Sequence, residues 1–274
     1  MDFIFSAITW NSDGVLFSIF GFDVRYYSLC WAIGLLSAYL IVKKLYKKQN
    51  IDDKLFDPLF LYCFIGILLG ARLGHCLFYE PERYLSDPLA IIIPFENGEF
   101  TGFQGLASHG GIIGVILALA LYIKKTKIPF LKVLDCLGVA SPLFAAMVRL
   151  GNFMNSEIIG TATDAPWGVI FVNAGLSEPH HPAQLYEAIA YLIVFVIVIL
   201  LYTKHKDKLG SGLFSGVTLF TIFTFRFFVE YIKVEQVEFE KGMFINMGQI
   251  LSIPLIITGL YLIYRSINVK KEKA

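Results

Sequence analysis

The sequence predicts an all-α polytopic membrane protein, and three observations support this fold class. The chain has 274 residues, of which 56% are hydrophobic, and its mean hydropathy is +0.65, whereas soluble domains are less apolar. Apolar runs long enough to cross about 30 Å of hydrocarbon recur along the chain. Lysines cluster in every second connection between these runs, which is typical of a chain that crosses a bilayer several times.

The apolar runs define about seven transmembrane helices. They lie roughly at Tyr26–Val42, Pro58–Phe78, Ser108–Ile123, Leu131–Val148, Ala183–Tyr202, Leu213–Ile232 and Gly248–Tyr264. The preceding outer segment, residues 1–25, mixes aromatic residues with the turn residues Asn11–Gly14, so we expect it to lie on the membrane surface. Because its first residues lack a basic region, we do not expect a cleavable signal peptide.

The distribution of basic residues predicts the orientation of the chain. Most lysines lie in the connections after the first, third and fifth helices and in the C-terminal tail, while the alternate connections are acidic or mixed. Cytoplasmic loops of membrane proteins carry the excess of basic residues. We therefore expect a single domain over residues 1–274, with its N-terminus outside and its C-terminus in the cytoplasm. The outer loops, about 79–107, 149–182 and 233–247, are long enough to form a small extracytoplasmic cap.

The cations outside the lysine-rich loops are mainly arginines. They are Arg25, Arg72, Arg83, Arg149, Arg226, Lys233 and Lys241, and all lie in or near the predicted outer half. A guanidinium group suits bidentate binding of phosphate or carboxylate in a partly dry site, whereas an exposed lysine suits a hydrated anchor. This difference indicates that an anionic group is bound near the outer leaflet.

The stretch Arg149–Gly160, RLGNFMNSEIIG, follows a long apolar run and carries Arg149, Asn152 and Glu157 in a short distance. Charged groups at the edge of a hydrocarbon layer are costly unless they are paired or hydrated, so such a cluster suggests a functional site. The alternative interpretation is a polar loop that caps a helix.

Further polar residues lie near the same predicted face. His109 opens the third helix, and an imidazole with a pKa near 6.5 can accept a proton near neutrality; it is otherwise a plain helix-start histidine. Arg226 and Glu230 are four residues apart on one helix face, either as a structural ion pair or as an arginine aimed at a phosphate. Tyr27 is either an aromatic-belt residue or a headgroup ligand. Two more motifs are GARLGHCLFYE, with Arg72 and His75, and HHPAQLYEA, with His181, Gln184, Tyr186 and Glu187.

Several kinds of site are absent from the sequence. There is no GxSxG nucleophile motif, HExxH zinc pair, P-loop or Rossmann fingerprint. The four cysteines lie inside apolar runs without metal-site spacing, so we expect neither a disulfide nor a metal site. A basic nucleic-acid footprint is also absent. Since the outer residues offer no obvious nucleophile, we expect the nucleophile to belong to a substrate.

Taken together, the motifs resemble those of the prolipoprotein diacylglyceryl transferase family of bacterial cytoplasmic membranes. The resemblance covers nearly the whole chain and rests on RYY at Arg25–Tyr27, GARLGHCLFYE at Gly70–Glu80, HGGIIG at His109–Gly114, RLGNFMNSEIIG at Arg149–Gly160, HPAQLYE at His181–Glu187, RFFVE at Arg226–Glu230 and MGQILSIP at Met247–Pro254. It implies seven helices, an active site towards the outer leaflet, and transfer of the diacylglyceryl group of phosphatidylglycerol to the lipobox cysteine of preprolipoproteins, with release of sn-glycerol 1-phosphate.

The resemblance also implies which residues act. The family's functional positions correspond to Tyr27, His109, Arg149, Asn152, Glu157, Gly160, Arg226 and Glu230. On this basis His109 takes the thiol proton, with Tyr27 as the alternative base, and the two arginines hold the phosphate without a metal or other cofactor. Two residues depart from the family pattern, because Val148 and Ser28 stand where glycine is common.

Two other function classes remain as alternatives. A transporter or flippase of an anionic lipid or solute tends to carry ionisable residues near the membrane midplane, often with repeated, broken helices. In this sequence the polar residues gather near one face, and no internal repeat is visible. An intramembrane protease would need a nucleophile of its own. Both alternatives are therefore less favoured than a lipid transferase.

Overall fold

The computed structural model describes residues 8–19, 21–78, 80–91, 95–96, 99–100, 107–234 and 245–268. The described chain is mainly helical. Its α-helices are α1 (Tyr26–Lys48), α2 (Asp53–Phe78), α3 (Pro81–Ser86), α4 (Ser108–Thr126), α5 (Phe130–Met154), α6 (Ala183–Lys204), α7 (Leu213–Val229) and α8 (Met247–Asn268). A 3₁₀ turn over Glu230–Ile232 extends α7.

All seven predicted runs form long helices. Within the described residues, six helices are long and apolar enough to cross a membrane: α1, α2, α5, α6, α7 with its 3₁₀ extension, and α8. Helix α4 has 19 residues and is not among these six. The prediction of an all-α polytopic membrane protein is thus confirmed. A seventh crossing by α4 and the orientation of the two ends stay predictions.

The chain divides into two compact units. The larger unit contains residues 1–45 and 130–274, and the smaller unit contains residues 46–129. In the larger unit, α5, α6 and α7 pack against one another and α8 packs on α7. Glycines bring these helices close, since a Cβ on Gly138 of α5 would lie 2.7 Å from Ser215 Cα of α7. Such small residues at helix contacts are typical of membrane proteins.

The smaller unit is built on the pairing of α2 with α4. The two backbones touch at Gly70 and Gly110, and again at Gly66 and Gly114, where an added Cβ would collide with the opposite carbonyl group. Gly110 and Gly114, four residues apart, thus let the two helices pack closely, as small residues at this spacing do in membrane proteins.

Arg72 lies in the smaller unit and is only 8% exposed. Its Nε donates to the carbonyl of Ile91 at 3.0 Å, and its Nη2 donates to the carbonyl of Ala90 at 2.8 Å. The guanidinium also lies 5.0 Å from the centre of the Tyr84 ring. Backbone carbonyls and an aromatic ring therefore stabilise this buried charge.

Short strands, which the sequence did not predict, build a small layer on the larger unit. Strand β1 (Ile8–Trp10) pairs in parallel with β6 (Val169–Phe171). Strands β2 (Val15–Ile19) and β3 (Phe22–Arg25) form a hairpin that runs directly into α1. In the smaller unit, β4 (Phe95–Glu96) pairs with β5 (Glu99–Phe100).

The strand layer has its own apolar core. Phe153, at the end of α5, is buried against Val169 and Phe171 of β6, and its ring lies 4.7 Å from that of Trp10. The segment that follows α5 is therefore anchored by aromatic packing to the N-terminal strands. We refer to residues 8–19, 21–25 and 155–182 as the cap, a set that differs from the loops 79–107, 149–182 and 233–247 of which the sequence predicts a cap.

Several helices are longer than predicted, and one of these differences bears on the site. The second outer loop was expected to begin at Arg149, but α5 continues to Met154, so Arg149 and Asn152 lie in its last turns. The helix tolerates the arginine there because a buried carboxylate, Glu187, lies 3.1 Å from its Nε. An ion pair stabilises the charge of Arg149 away from water, so the backbone can remain helical there.

Candidate active site

The polar end of α5 leads into a strained turn. Ser156 and Ile158 have φ angles of 54° and 58°, a region that a β-branched residue such as Ile158 rarely adopts. The turn is fixed by hydrogen bonds back to α5, including Glu157 N to Asn152 O at 2.9 Å and Asn155 N to Gly151 O at 3.1 Å. Such strain, about 1–3 kcal/mol per residue, is typical of functional sites.

A chain of hydrogen bonds connects this turn to Arg149. The Arg149 guanidinium donates from Nη1 to Asn152 Oδ1 at 3.4 Å, and Asn152 Nδ2 donates to Glu157 Oε2 at 3.1 Å. Asn155 Nδ2 donates to the other oxygen of Glu157, also at 3.1 Å. Asn152, which is 5% exposed, thereby holds the arginine and the carboxylate in a fixed relation.

Helix α6 contributes two fully buried polar residues. Gln184 donates from Nε2 to the backbone carbonyl of Glu157, and both Gln184 and Glu187 are 0% exposed. Gln184 thus ties the start of α6 to the turn after α5. Glu187 lies one turn further along the same helix.

The carboxylate of Glu187 is the centre of the site. Its Oε2 lies 3.1 Å from Arg149 Nε and 3.1 Å from Lys233 Nζ. Its Oε1 lies 3.8 Å from Arg226 Nη1 and accepts a hydrogen bond of 2.9 Å from the Tyr191 hydroxyl. A fully buried carboxylate would be very costly if unpaired, so these contacts offset the cost of burying Glu187 between the helices.

A second carboxylate, Glu230, completes the cluster. Glu230 Oε1 lies 3.4 Å from Arg226 Nη2 and accepts a hydrogen bond of 3.0 Å from Lys233 Nζ. The predicted pairing of Arg226 with Glu230 is therefore confirmed. Gly248 makes room for Glu230, because a Cβ on Gly248 would lie 2.5 Å from Glu230 Cδ.

The described cluster holds more positive than negative charge. Its three cations, Arg149, Arg226 and Lys233, are in direct ionic contact with two carboxylates, Glu187 and Glu230. Glu157 is separated from Arg149 by the neutral amide of Asn152. These five side chains therefore carry one positive charge in excess.

Most hydrogen-bond donors of the two arginines have no acceptor among the described residues. A guanidinium has five N–H donors, yet among the described residues Arg149 donates one hydrogen bond, to Asn152, and Arg226 contacts carboxylates without an aligned hydrogen bond. Glu187 Oε2 likewise has no aligned donor, although two cations lie within 3.1 Å. The Arg226 side chain is 30% exposed and that of Arg149 is 12% exposed. The arrangement leaves N–H groups for a bidentate anion such as phosphate.

Gly160 brings three segments of the chain together. Its N–H donates to His181 O at 2.9 Å, its carbonyl lies 2.8 Å from His180 Nδ1, and it pairs with Lys233 as an isolated β-bridge. A Cβ on Gly160 would lie 2.6 Å from His181 Cβ and 2.7 Å from Ile232 O. Only glycine fits there, and the contact places Lys233 beside Glu187. Approach of a ligand to this backbone, the predicted role of Gly160, stays a prediction.

Tyr27 and His109 are the two predicted base candidates. Tyr27 packs on the polar end of α5, where a Cβ on Gly151 would lie 2.9 Å from Tyr27 Cδ2. His109 is the second residue of α4 in the smaller unit, and its side chain lies outside the part of the chain that the structure describes. The structure therefore brings together all predicted phosphate-site residues of the larger unit and does not test the role of His109.

A polar cavity of about 310 Å³ lies beside Glu157. Its lining comes from the cap and the turn after α5, and it consists of Ser12, Asp13, Arg25, Asn155, Glu157 and Asn173. Hydroxyl, amide and carboxylate groups of this kind hydrogen-bond small polar molecules. Glu157 thus lies both at the end of the hydrogen bonds from Arg149 and at the wall of a polar cavity.

Glu187 and Lys233 are central to the cluster, although neither is among the functional positions that the family resemblance implies. An acidic residue that follows the start of an apolar helix by one turn is itself a signal, because such a residue needs a partner in the membrane. Burial lowers the pKa of the Lys233 ammonium group from its ordinary value of 10.5; Glu187 and Glu230 act in the opposite direction, while Arg149 and Arg226 add to the lowering.

Comparisons with known proteins identify the family of this chain. Residues 14–265 match the family model described as prolipoprotein diacylglyceryl transferase. The chain is 50% identical over 269 residues to the phosphatidylglycerol–prolipoprotein diacylglyceryl transferase of Bacteroides fragilis, covering 96% of this chain and 97% of the relative. It is 42% identical over 276 residues to the protein of the same name from Porphyromonas gingivalis, covering 95% of each, and 41% identical over 266 residues to that from Tolumonas auensis, covering 97% and 98%. This chain therefore belongs to the prolipoprotein diacylglyceryl transferase family.

Proposed function

We propose that this chain transfers the diacylglyceryl group of phosphatidylglycerol to the lipobox cysteine thiol of preprolipoproteins and releases sn-glycerol 1-phosphate. Family membership and the activity in the relatives' names support this reaction. The observation that carries the proposal is the convergence of Arg149 and Arg226 on the buried Glu187, with guanidinium donors left over. Two arginines placed in this way can bind a phosphate and stabilise its negative charge as it leaves.

In this proposal the arginines bind the phosphate of the lipid. Asn152 and Glu157 orient Arg149, and Glu230 orients Arg226 through the contact of 3.4 Å. The glycerol headgroup extends towards the polar cavity beside Glu157. The diacylglyceryl part remains among the apolar helices, where its chains are in the hydrocarbon of the bilayer.

The reaction breaks the bond between a glycerol carbon of the diacylglyceryl group and the phosphate oxygen. The thiol sulfur attacks that carbon, a carbon–sulfur bond forms, and the electron pair of the broken bond stays on the phosphate oxygen. A thiol with a pKa of about 8.5 must lose its proton, and His109 takes it, with Tyr27 as the alternative base. Each preorganised donor to the leaving phosphate contributes about 2.7–4 kcal/mol in comparable sites.

The proposed setting is the bacterial cytoplasmic membrane. Helix α4 supplies the seventh crossing, the N-terminus and the cap lie outside, and the lysine-rich loops and C-terminal tail lie in the cytoplasm. The lysine distribution supports this orientation. The arginine cluster then lies near the outer leaflet, where the lipobox of a translocated signal peptide becomes accessible.

One assay tests the proposed reaction. The full-length protein in detergent micelles is incubated with headgroup-labelled phosphatidylglycerol and a lipobox peptide. We expect a peptide whose cysteine carries a diacylglyceryl thioether, together with labelled glycerol phosphate in equal amount. An unmodified peptide would contradict the transferase proposal and favour a transporter, whereas a shortened peptide would indicate a protease.

The assignment of the base has a separate test. If His109 is the base, His109→Gln is expected to lower the rate constant kcat by about 10²–10⁴-fold, the usual contribution of a general base. Tyr27→Phe is then expected to have the smaller effect. Both variants are assayed for transfer across pH, with the peptide at saturation. Near-normal turnover of His109→Gln together with a large loss in Tyr27→Phe would reverse the assignment.

A further inference from the structure

Glu187 connects cations from separate parts of the larger unit. Arg149 comes from α5, Arg226 from α7, and Lys233 from the segment that follows the 3₁₀ turn, and all three contact this one carboxylate. Its remaining neighbour is the hydroxyl of Tyr191 on α6, which donates to Oε1 at 2.9 Å. No other described carboxylate contacts all three cations.

The geometry gives Glu187 two physical effects. It fixes the separation of the two guanidinium groups, because each lies against a different oxygen of the same rigid carboxylate. It also reduces the charge of the cluster, from an excess of two positive charges without Glu187 to an excess of one with it. In a buried site each of these effects is strong, since charge interactions near 4 Å grow as the dielectric constant falls.

An excess of one positive charge matches the lipid substrate. A phosphodiester carries one negative charge, whereas a phosphate monoester carries about 1.5–2 near neutral pH. The cluster is therefore neutralised by the bound lipid. It does not offer the additional positive charge that would hold the monoester product tightly.

We infer that Glu187 is a positioning residue that sets both the spacing of Arg149 and Arg226 and the net charge of the phosphate site, with Lys233 as the third cation of that site. This inference rests on the proposed function. A merely structural ion pair would affect stability, but it would not make affinity for a phosphate monoester follow the charge of the cluster.

The test is a charge series in the full-length protein. Glu187→Gln raises the excess to two positive charges, Lys233→Gln lowers it to zero, and the double variant restores it to one. Glu187→Asp keeps the charge but shortens the side chain. The matched control is Glu178→Gln, because the Glu178 side chain is 69% exposed and lies outside the cluster.

Two quantities are measured for each variant: calorimetric binding of sn-glycerol 1-phosphate and kcat for transfer. We expect binding about tenfold tighter in Glu187→Gln and about tenfold weaker in Lys233→Gln, with the double variant within about threefold of wild type. Glu187→Asp is expected to bind like wild type. Both Glu187 variants are expected to lose about a hundredfold in kcat, as displaced catalytic groups do.

The outcome separates the inference from the proposed function. Binding that weakens in every cluster variant, or that stays the same in all of them, would overturn the charge role of Glu187 even if the wild type transfers lipid. If the affinities of wild type and variants for glycerol phosphate follow the expected order but the wild type transfers nothing, the proposed function fails and the charge role stands. Should Glu187→Gln not fold, Lys233→Gln and Glu187→Asp decide, because the inference requires weaker binding in the first and a lower kcat at unchanged binding in the second.

Discussion

Arginines inside the helices of the two units are stabilised in different ways. Arg72 of the smaller unit directs Nε and Nη2 at fixed backbone carbonyls, at 3.0 and 2.8 Å, and lies over the Tyr84 ring. Arg149 and Arg226 of the larger unit instead lie beside the carboxylate of Glu187 and keep donors that no described residue accepts. The described partners thus differ in chemistry and so does the exposure, since Arg72 is 8% exposed whereas the side chains of Arg149 and Arg226 are 12% and 30% exposed.

The largest expected effect comes from exchanging arginine for lysine in each unit. Arg226→Lys keeps the charge but loses the planar fork, so we expect transfer to fall by about 10²–10³-fold, the loss seen when one preorganised donor is removed. Arg72→Lys is expected to reduce stability by about 1–3 kcal/mol because carbonyls lose their donors. Its activity per folded molecule is expected to remain near that of wild type.

Both variants are measured for kcat and for thermal unfolding in the same detergent. A large kcat loss in Arg72→Lys at unchanged stability would show that the two arginines do not differ in role. Normal turnover in Arg226→Lys would show that its fork geometry does not bind the phosphate.

An intermediate effect is expected from Gly248→Ala. A Cβ at this position would lie 2.5 Å from Glu230 Cδ and 2.6 Å from its Oε1, so the carboxylate that holds Arg226 must move. Overpacking costs about 1–3 kcal/mol, which corresponds to a loss of about 5- to 160-fold in kcat/KM if it falls on the site. The control is Thr258→Ala, an exposed position on the same helix. Equal kcat/KM in the two variants would contradict a role of Glu230 in placing Arg226.

The smallest expected effect is a fall in the affinity of the larger unit's cluster for glycerol phosphate as the pH rises. The pKa of Lys233 is lowered below 10.5 by burial, so Lys233 is charged at lower pH and loses its proton before an exposed lysine would. Loss of the Lys233 proton removes one positive charge from the cluster. Glycerol phosphate affinity is therefore expected to fall by about fivefold between pH 8 and 10.5.

Calorimetric titrations at several pH values measure this change. Lys233→Arg provides the comparison, because a guanidinium stays charged throughout this range and its affinity curve is expected to be flat. Identical curves for wild type and Lys233→Arg would show that Lys233 does not contribute to the charge of the site.

Some features of the site were predictable from local sequence. Arg226 and Glu230 are four residues apart on one helix, and this spacing alone brings their side chains together. The pairing of Gly110 and Gly114 with α2 follows from the small residues at regular spacing. Arg149 near the end of an apolar run predicts the start of a loop, whereas its ion pair with Glu187 lets α5 continue to Met154.

The sequence by itself determined the membrane class, the positions of the long helices and the residues that carry the positive charge, because apolar length and local spacing are properties of neighbouring residues. Only the tertiary structure decided that Glu187 is the common partner of Arg149, Arg226 and Lys233, and that the strands of the cap pair as they do. These contacts join residues that are far apart in the chain, and no periodicity records them. The contacts of Glu187 form because a buried charge is stable only beside an opposite charge, and folding alone decides which residues become neighbours.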